Sequence, residues 1–270
     1  MTDTDRKKSM KPARLALVLF VAAWSAAGQQ ASLPAANTIL ERYVDVTGGK
    51  AAYEKRHTEI STGAMEVSGK NVKGTAVTYS NDSGDSYTEV EIQGVGEVES
   101  GVTHGVVWET SAIQGPRIKQ GEERESALRD TRFNAPLHWR TTYYKVQTVG
   151  LATVEGQECY KVSAAPPSGS PETLYFSTQT GLLVRRDKVM VTPRGDVPVE
   201  FVAAEYKDFD GVKTPSKMLQ KAAGQEFVVT IDSVKVNEAI PASRFELPAG
   251  IKALLAQPNG APPKTKSETK

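Results

Sequence analysis

Histidine is the side chain best suited to acid–base chemistry near neutral pH, and the chain contains three: His57, His104 and His138. None belongs to an HxH or HExxH pattern, the spacings that would bring two imidazoles to one metal ion. His57 begins a predicted strand and His104 lies in a predicted turn, so we expect both to face solvent. His138 lies between Leu137 and Trp139, and as a general base it would need a nucleophile and an orienting carboxylate that the sequence does not locate. We therefore predict no catalytic residue and no metal site; a hydrolase that uses His138 is the outlying alternative.

Other patterns for nucleophilic or cofactor chemistry are missing as well. The sequence has no GxSxG, SxxK or P-loop pattern. Cys159 is the only cysteine, so no internal disulfide can form, and we expect a small buried side chain there. Glu89 and Glu91 share one strand face, as do Glu97 and Glu99; such pairs can bind calcium, but a solvated sheet face accounts for them more simply. The sequence therefore predicts no cofactor.

The first 28 residues have the features of a secretory signal peptide. Five basic residues precede an apolar run of 13 at residues 15–27, and small residues follow at 25–28. This run is shorter than the roughly 18–20 residues that a membrane-spanning helix needs. We expect cleavage near Ala27 or Gly28 and a mature protein in the periplasm; an uncleaved membrane anchor is the alternative.

Charge and composition indicate what the mature chain binds and where it ends. Without residues 1–28 the chain keeps 28 of its 33 Lys and Arg and 30 of its 32 Asp and Glu, and its only basic cluster is a sparse one in the tail. We therefore expect no nucleic-acid partner. We also expect a monomer. The folded domain is predicted at residues 29–250 and a disordered tail at 251–270, whose end is too polar to bury a core.

Residues 143–236 dominate the predicted fold. Apolar and polar residues alternate through them, as at Phe227, Val229 and Ile231. Short glycine-containing turns separate segments of 5–12 residues, which indicates an antiparallel meander because such turns are too short for parallel crossovers. A second series of strands is predicted in 57–110, giving roughly ten strands in all. The predicted strands are 58–67, 72–79, 86–92, 96–102, 106–110, 143–154, 157–165, 172–176, 182–192, 197–208, 212–222 and 225–236.

Two other segments are predicted to cover one face of this sheet. A helix that opens after Pro34 carries its apolar residues on one side and ends at Gly48-Gly49, where glycine allows a left-handed C-cap. Residues 111–142 break the strand pattern with a loop, a charged helix at 122–132 and a short irregular segment. This insert is predicted to be a lid over the dry face, with a loop packed under the sheet as the alternative.

The dry face itself has two interpretations. If its cover is incomplete or mobile, the face can bind an acyl chain or another apolar ligand. If the two series of strands pack face to face as a sandwich, the same residues are ordinary core.

Several strand and turn patterns across residues 35–250 carry a family resemblance. They are ILERY at 39–43 with TGGK at 47–50, GVVWE at 105–109, GPR at 115–117, ETLYF at 172–176 with TGLLVR at 180–185, YKDFDGVKTP at 206–215 and FELP at 245–248. Here the chain resembles periplasmic lipoprotein carriers and receptors of the LolA/LolB-like type, especially the outer membrane lipoprotein-sorting protein-like set. The resemblance implies a mainly β (α+β) fold, with a single large antiparallel sheet curved into an unclosed half-barrel. An N-terminal helix and a helical or loop insert would cover its concave face, which would receive acyl chains, and no enzymatic activity goes with the family.

We therefore expect periplasmic, non-enzymatic binding of lipid or lipoprotein acyl chains, with a lipid or an acylated protein as partner. The alternative is a periplasmic protein-interaction or sensor module of the same fold, with an envelope protein as partner and no lipid ligand. Strand alternation and the cover segment nominate ten apolar residues for the ligand cavity. They are Val90, Ile92, Trp108, Leu137, Trp139, Leu174, Phe176, Phe201, Met218 and Phe227.

Overall fold

The computed structural model describes residues 32–257, with Thr2 in isolation, so the predicted signal peptide lies outside the described residues. No helix within the described residues is both long and apolar enough to span a bilayer. The strands are β1 Thr58–Val67, β2 Lys73–Asn81, β3 Ser86–Ile92, β4 Gly96–Thr103, β5 Val106–Ser111, β6 Arg117–Ile118, β7 Lys145–Val154, β8 Gln157–Ala165, β9 Glu172–Ser177, β10 Leu183–Thr192, β11 Gly195–Phe209, β12 Val212–Ala222 and β13 Gln225–Val236.

All thirteen strands belong to one antiparallel sheet, in the order β6-β5-β4-β3-β2-β1-β13-β12-β11-β10-β9-β8-β7. The two predicted series of strands are thus joined edge to edge where β1 pairs with β13, and they do not form a sandwich. The predicted single sheet is confirmed. Its thirteenth strand was not predicted: Arg117–Ile118, interpreted from sequence as loop, pairs with Trp108 and Glu109 of β5, whereas the other twelve correspond to the predicted segments.

Tight turns fix the antiparallel register. Asp210 and Gly211 have φ of 55° and 80°, and Glu155 and Gly156 have 48° and 73°. Positive φ at both central residues is the geometry whose twist matches that of the flanking strands, and glycine adopts it without strain. The turns read from sequence therefore set the pairing observed.

The helices are α1 Ala36–Val46, α2 Lys50–Glu54, α3 Gly121–Asp130, α4 Trp139–Thr142 and α5 Ala249–Leu255, with 3-10 turns at Ala135–His138 and Ala242–Phe245. Helix α1 buries Ala36, Ile39, Leu40 and Val44, which follow the helical period. It ends at Val46, just before the predicted stop at Gly48-Gly49. The backbone of Gly48 approaches Gly211 so closely that a Cβ there would lie 2.4 Å from the Gly211 carbonyl oxygen.

Helix α3 shows how strongly the sheet is curved. Arg124 donates to the Gly105 carbonyl oxygen in the β4–β5 turn (3.0 Å), and Asp130 accepts from Arg186 of β10 (2.9 Å). β5 and β10 are eight positions apart in the strand order, or about 38 Å in a flat sheet at ~4.8 Å per strand. Ten helical residues extend only about 15 Å. Even with long side chains, α3 reaches both strands only because the sheet curls around it, which confirms the unclosed half-barrel.

We call the face that bears α3 and Arg186 the inner face. Side chains directly opposite each other in antiparallel strands share a face. Leu174 is opposite Arg186 and is therefore inner. The largest buried cluster lies here, where α1 and α4 pack on the inner side of β8 and β9. The N-terminal helix and the insert both cover this face, as predicted.

A second buried cluster lies on the outer face, and its contacts show that two predictions are wrong. Trp108 is 1% exposed and packs with Tyr87 and Ile251, on the opposite side of the sheet from Val90. Its assignment to the cavity is therefore wrong: its indole occupies the space over Gly101, where a Cβ would lie 2.9 Å from the ring.

The predicted boundary of the tail at residue 251 is also wrong. Ile251 is fully buried against the Trp108 cluster, and this contact orders helix α5. The composition of the chain beyond the helix does not reveal that partner. Residues 258–270 of the predicted tail lie outside the described residues.

Candidate functional site

A cavity of about 460 Å³ lies on the inner face, between α1, α2, the segment 134–143 and strands β9, β10 and β12. This volume is within the range of small-molecule sites, roughly 300–1,000 Å³. Its apolar walls are formed by Leu40, Tyr43, Tyr53, Ala135, Pro136, Trp139, Leu174, Phe176, Leu183, Val212 and Pro215. The rings of Tyr43 and Phe176 pack in a tilted arrangement, with centroids 5.4 Å apart, and join α1 to β9.

Beyond the cavity, the inner face continues as a band of large apolar side chains that are only partly buried. Phe201 is directly opposite Arg186, so the band begins one strand beyond that cavity-lining residue. Met218 and Val229 are opposite each other, as are Val229 and Met65, which carries the band across β12, β13 and β1. We call the following residues the inner band: Phe201, Met218, Phe227, Val229, Ile231, Met65, Val90 and Ile92.

The ten residues nominated from sequence fall into four groups. Trp139, Leu174 and Phe176 line the cavity. Leu137 packs against the cluster beneath it. Trp108 lies on the outer face, as described above. The remaining five belong to the inner band: Val90, Ile92, Phe201, Met218 and Phe227.

Alternation predicts which residues share a face within one strand, as Val90 and Ile92 do in β3. That all five share one face follows from the register between the strands. Trp108 was misplaced because its face depends on the register of β5 against β4, which a short strand between loops does not reveal.

A charged network closes one side of the cavity. The Arg186 guanidinium donates twice to Glu172 (2.9 and 3.0 Å) and once to Asp130, and Tyr143 donates to Glu172 (2.8 Å). Lys188 also pairs with Asp130, which joins α3 to β10. Burial alone would raise the pKa of Asp130, but Arg186 and Lys188 outweigh it and hold that pKa below its usual value. Asp130 is therefore ionised at neutral pH, and it accepts from both Arg186 and Lys188.

Two further arginines line the cavity. Arg56 is 5% exposed and pairs with Glu59 (3.2 Å) and the Phe209 carbonyl oxygen (2.9 Å). Burial raises the pKa of Glu59, with Arg56 opposing the shift. Arg129, in the last turn of α3, has a buried Nε with no hydrogen-bond partner, and no ion pair of residues 32–257 includes it.

Sequence reasoning did not find these polar residues. Arg186 meets Glu172 and Asp130 across separations of 14 and 56 positions, so no local motif records the contacts. The available signal was weak: an arginine on the apolar side of a strand must find a partner when it is buried. In β10 that rule does not choose between two arginines. Arg185 alternates with Leu183, Val189 and Val191, and Arg186 alternates with Val184 and Met190.

The structure gives no support to catalysis by His138. Its carbonyl oxygen accepts from Thr141 and Thr142, but its ring makes no hydrogen bond with any described residue. Burial, followed by the charge of Arg132, lowers the pKa of His138. Nor do residues 32–257 contain a group of three or more side chains able to hold a metal ion.

No protein family matches this chain by sequence, and no curated protein sequence matches it. Solved structures do resemble it. A DUF1329 family protein from Desulfovibrio piger is 15% identical with a TM-score of 0.54, over 78% of this chain and 97% of that one. A LolA superfamily protein from Nitrosomonas europaea is 12% identical with a TM-score of 0.55, over 80% of this chain and 99% of that one. The chain therefore has a LolA-like fold.

Proposed function

We propose that this chain is a periplasmic, non-enzymatic binding protein for the acyl chains of lipids or lipoproteins. One observation carries the proposal: the inner face combines an apolar cavity with a band of large side chains that the cover leaves partly exposed. An ordinary core would bury such residues completely, as β8 and β9 do with Val162 and Phe176. Partly exposed apolar surface inside a concave sheet is instead typical of a ligand site.

The hydrophobic effect is large enough for this function. Each buried methylene contributes about 0.8 kcal/mol. Ten methylenes would contribute about 8 kcal/mol, which corresponds to a dissociation constant near 1 µM before the cost of immobilising the chain. The fold is consistent with such a ligand, because the covers α1, α3 and α4 all lie over the inner face.

Titration with a fluorescent fatty acid tests this proposal. Wild-type protein is expected to bind the probe and enhance its emission. Met218→Glu introduces a carboxylate into the inner band and should weaken binding about ten-fold or more, because the ligand loses apolar contact with one large side chain. The matched control is Leu255→Glu, which adds the same charge at a half-exposed residue of α5.

Circular dichroism verifies that both variants retain the fold. Equal binding by Met218→Glu and wild type would contradict a site on the inner band. A wild-type protein that does not bind the probe would contradict the proposed function itself.

A protein-interaction module of the same fold is the second candidate, and one surface favours it. Strand β7 is at the end of the sheet, and its only charged residue is Lys145. Val149 and Leu151 on this strand are 47% and 50% exposed, and neighbouring Tyr144 is 72% exposed. An uncharged edge strand can pair with a partner's strand. Two results together would favour this candidate: the wild-type protein binds a partner protein but no lipid, and Val149→Lys loses the partner.

A further inference from the structure

We infer that Arg129 binds the acidic head group of the acyl ligand, so that the protein prefers anionic amphiphiles over neutral ones. This inference rests on the proposed function and specifies the chemistry of its ligand. The head group would be a carboxylate or a phosphate, since both present the oxygen acceptors that a guanidinium binds in pairs.

Among residues 32–257, the charges around the cavity leave one arginine without an ion-pair or hydrogen-bond partner: Arg129, which is partly buried and whose Nε is fully buried. Arg186 and Lys188 are matched by Glu172 and Asp130, and Arg56 is matched by Glu59. After these pairs, the remaining cavity-lining charges are Arg129 and the exposed Lys213, both positive. The lining of the cavity as a whole is therefore net cationic, and Arg129 carries this charge on the α3 side.

Burying the Nε of Arg129 without a hydrogen-bond acceptor costs free energy when no ligand is bound. A buried guanidinium nitrogen that lacks an acceptor loses its hydration and gains no hydrogen bond in exchange. Arg56 and Arg117 show the same deficit at a buried Nε, but the terminal nitrogens of both donate to protein acceptors. Arg129 differs because no hydrogen bond from its side chain is seen among residues 32–257. Native structures seldom retain such a group without a role, and an acidic ligand in this cavity would supply the missing acceptors.

The position of Arg129 suits an amphiphile. Its own cavity is walled by Leu174, Phe176 and Trp139, and the inner band begins beside Arg186. A ligand with its acidic group at Arg129 would therefore have apolar surface available for its chain. The neighbouring carboxylate Asp130 does not compete, because it already accepts from two cations.

Displacement of a neutral fluorescent probe tests the inference, with three ligands of sixteen carbons: the saturated fatty acid, the alkyl phosphate and the alcohol. Measurements at pH 8 keep the acid ionised. We expect wild-type protein to bind at least one anionic ligand about ten-fold or more tightly than the alcohol, the gain typical of a charge-assisted hydrogen bond. Arg129→Met should abolish this preference and leave alcohol binding unchanged, whereas Arg129→Lys should retain part of it.

Arg132→Met is the matched control, because Arg132 is near in sequence but does not line the cavity. Thermal unfolding distinguishes a ligand role from a structural one. Arg129 has no protein partner among residues 32–257 to lose, so Arg129→Met should unfold close to the wild-type temperature. An anion preference that persists unchanged in Arg129→Met, for both anionic ligands, would overturn the inference alone. A wild-type protein that binds none of the three ligands would overturn the proposed function and the inference with it.

Discussion

At the scale of single residues, the Asp130–Lys188 pair joins the cover to the sheet. The Lys188 side chain is 5% exposed, and Asp130 is its only ion-pair partner among the described residues. Asp130→Asn leaves a buried ammonium unpaired and should lower the free energy of unfolding by about 3 kcal/mol. Replacing both residues, as Asp130→Asn with Lys188→Met, should recover most of that loss because no charge is then left buried without a partner.

Urea denaturation of the two single variants and the double variant measures this coupling. Additive losses would show that the pair does not hold α3 to β10.

The same pair predicts a pH dependence. The pKa of Asp130 is lowered in the folded state, so its stabilising contribution is complete above the unfolded value near 4 and is lost as pH falls through the folded value. The wild type should therefore lose more stability than the double variant below about pH 4.

At the scale of elements, helix α5 stabilises the outer face independently of the ligand site. Ile251 is fully buried against Trp108. Ile251→Ala should cost about 2–5 kcal/mol of unfolding free energy and leave probe affinity unchanged, because the outer cluster does not line the inner cavity. Leu255→Ala, at a half-exposed position of the same helix, serves as the control and should cost far less. Weakened binding in folded Ile251→Ala would show that the two faces are coupled.

The elements also show what sequence could and could not predict. Strand bounds such as Gln157–Ala165 and Gln225–Val236 were predictable, because a period of two and glycine turns are local signals. Three other features could not be predicted, because each depends on a partner distant in sequence. They are the pairing of β1 with β13, the sheet face on which Trp108 lies, and the folding of residues 249–255 into helix α5. Of the eleven apolar residues that form the cavity walls, the sequence nominated only Trp139, Leu174 and Phe176, and it nominated none of the cavity's arginines.

At the scale of the whole molecule, the curl of the sheet produces a concave surface that one helix can bridge. The bridge is mainly polar: α3 buries only Ser126 and is held by Arg117–Glu123, Arg124 and Asp130. Under the proposed function, this unclosed sheet and its cover would hold a chain-like apolar molecule on the inner band.

Native mass spectrometry with lipid extraction, on protein purified from a bacterial periplasm, tests this central claim most directly. We expect a co-purifying lipid or acylated peptide on the wild type. The adduct should be lost in Phe201→Glu, which alters the inner band, and retained in Leu255→Glu, with both variants folded by circular dichroism. A wild-type protein with only its apo mass, and no uptake of added fatty acid, would contradict the claim.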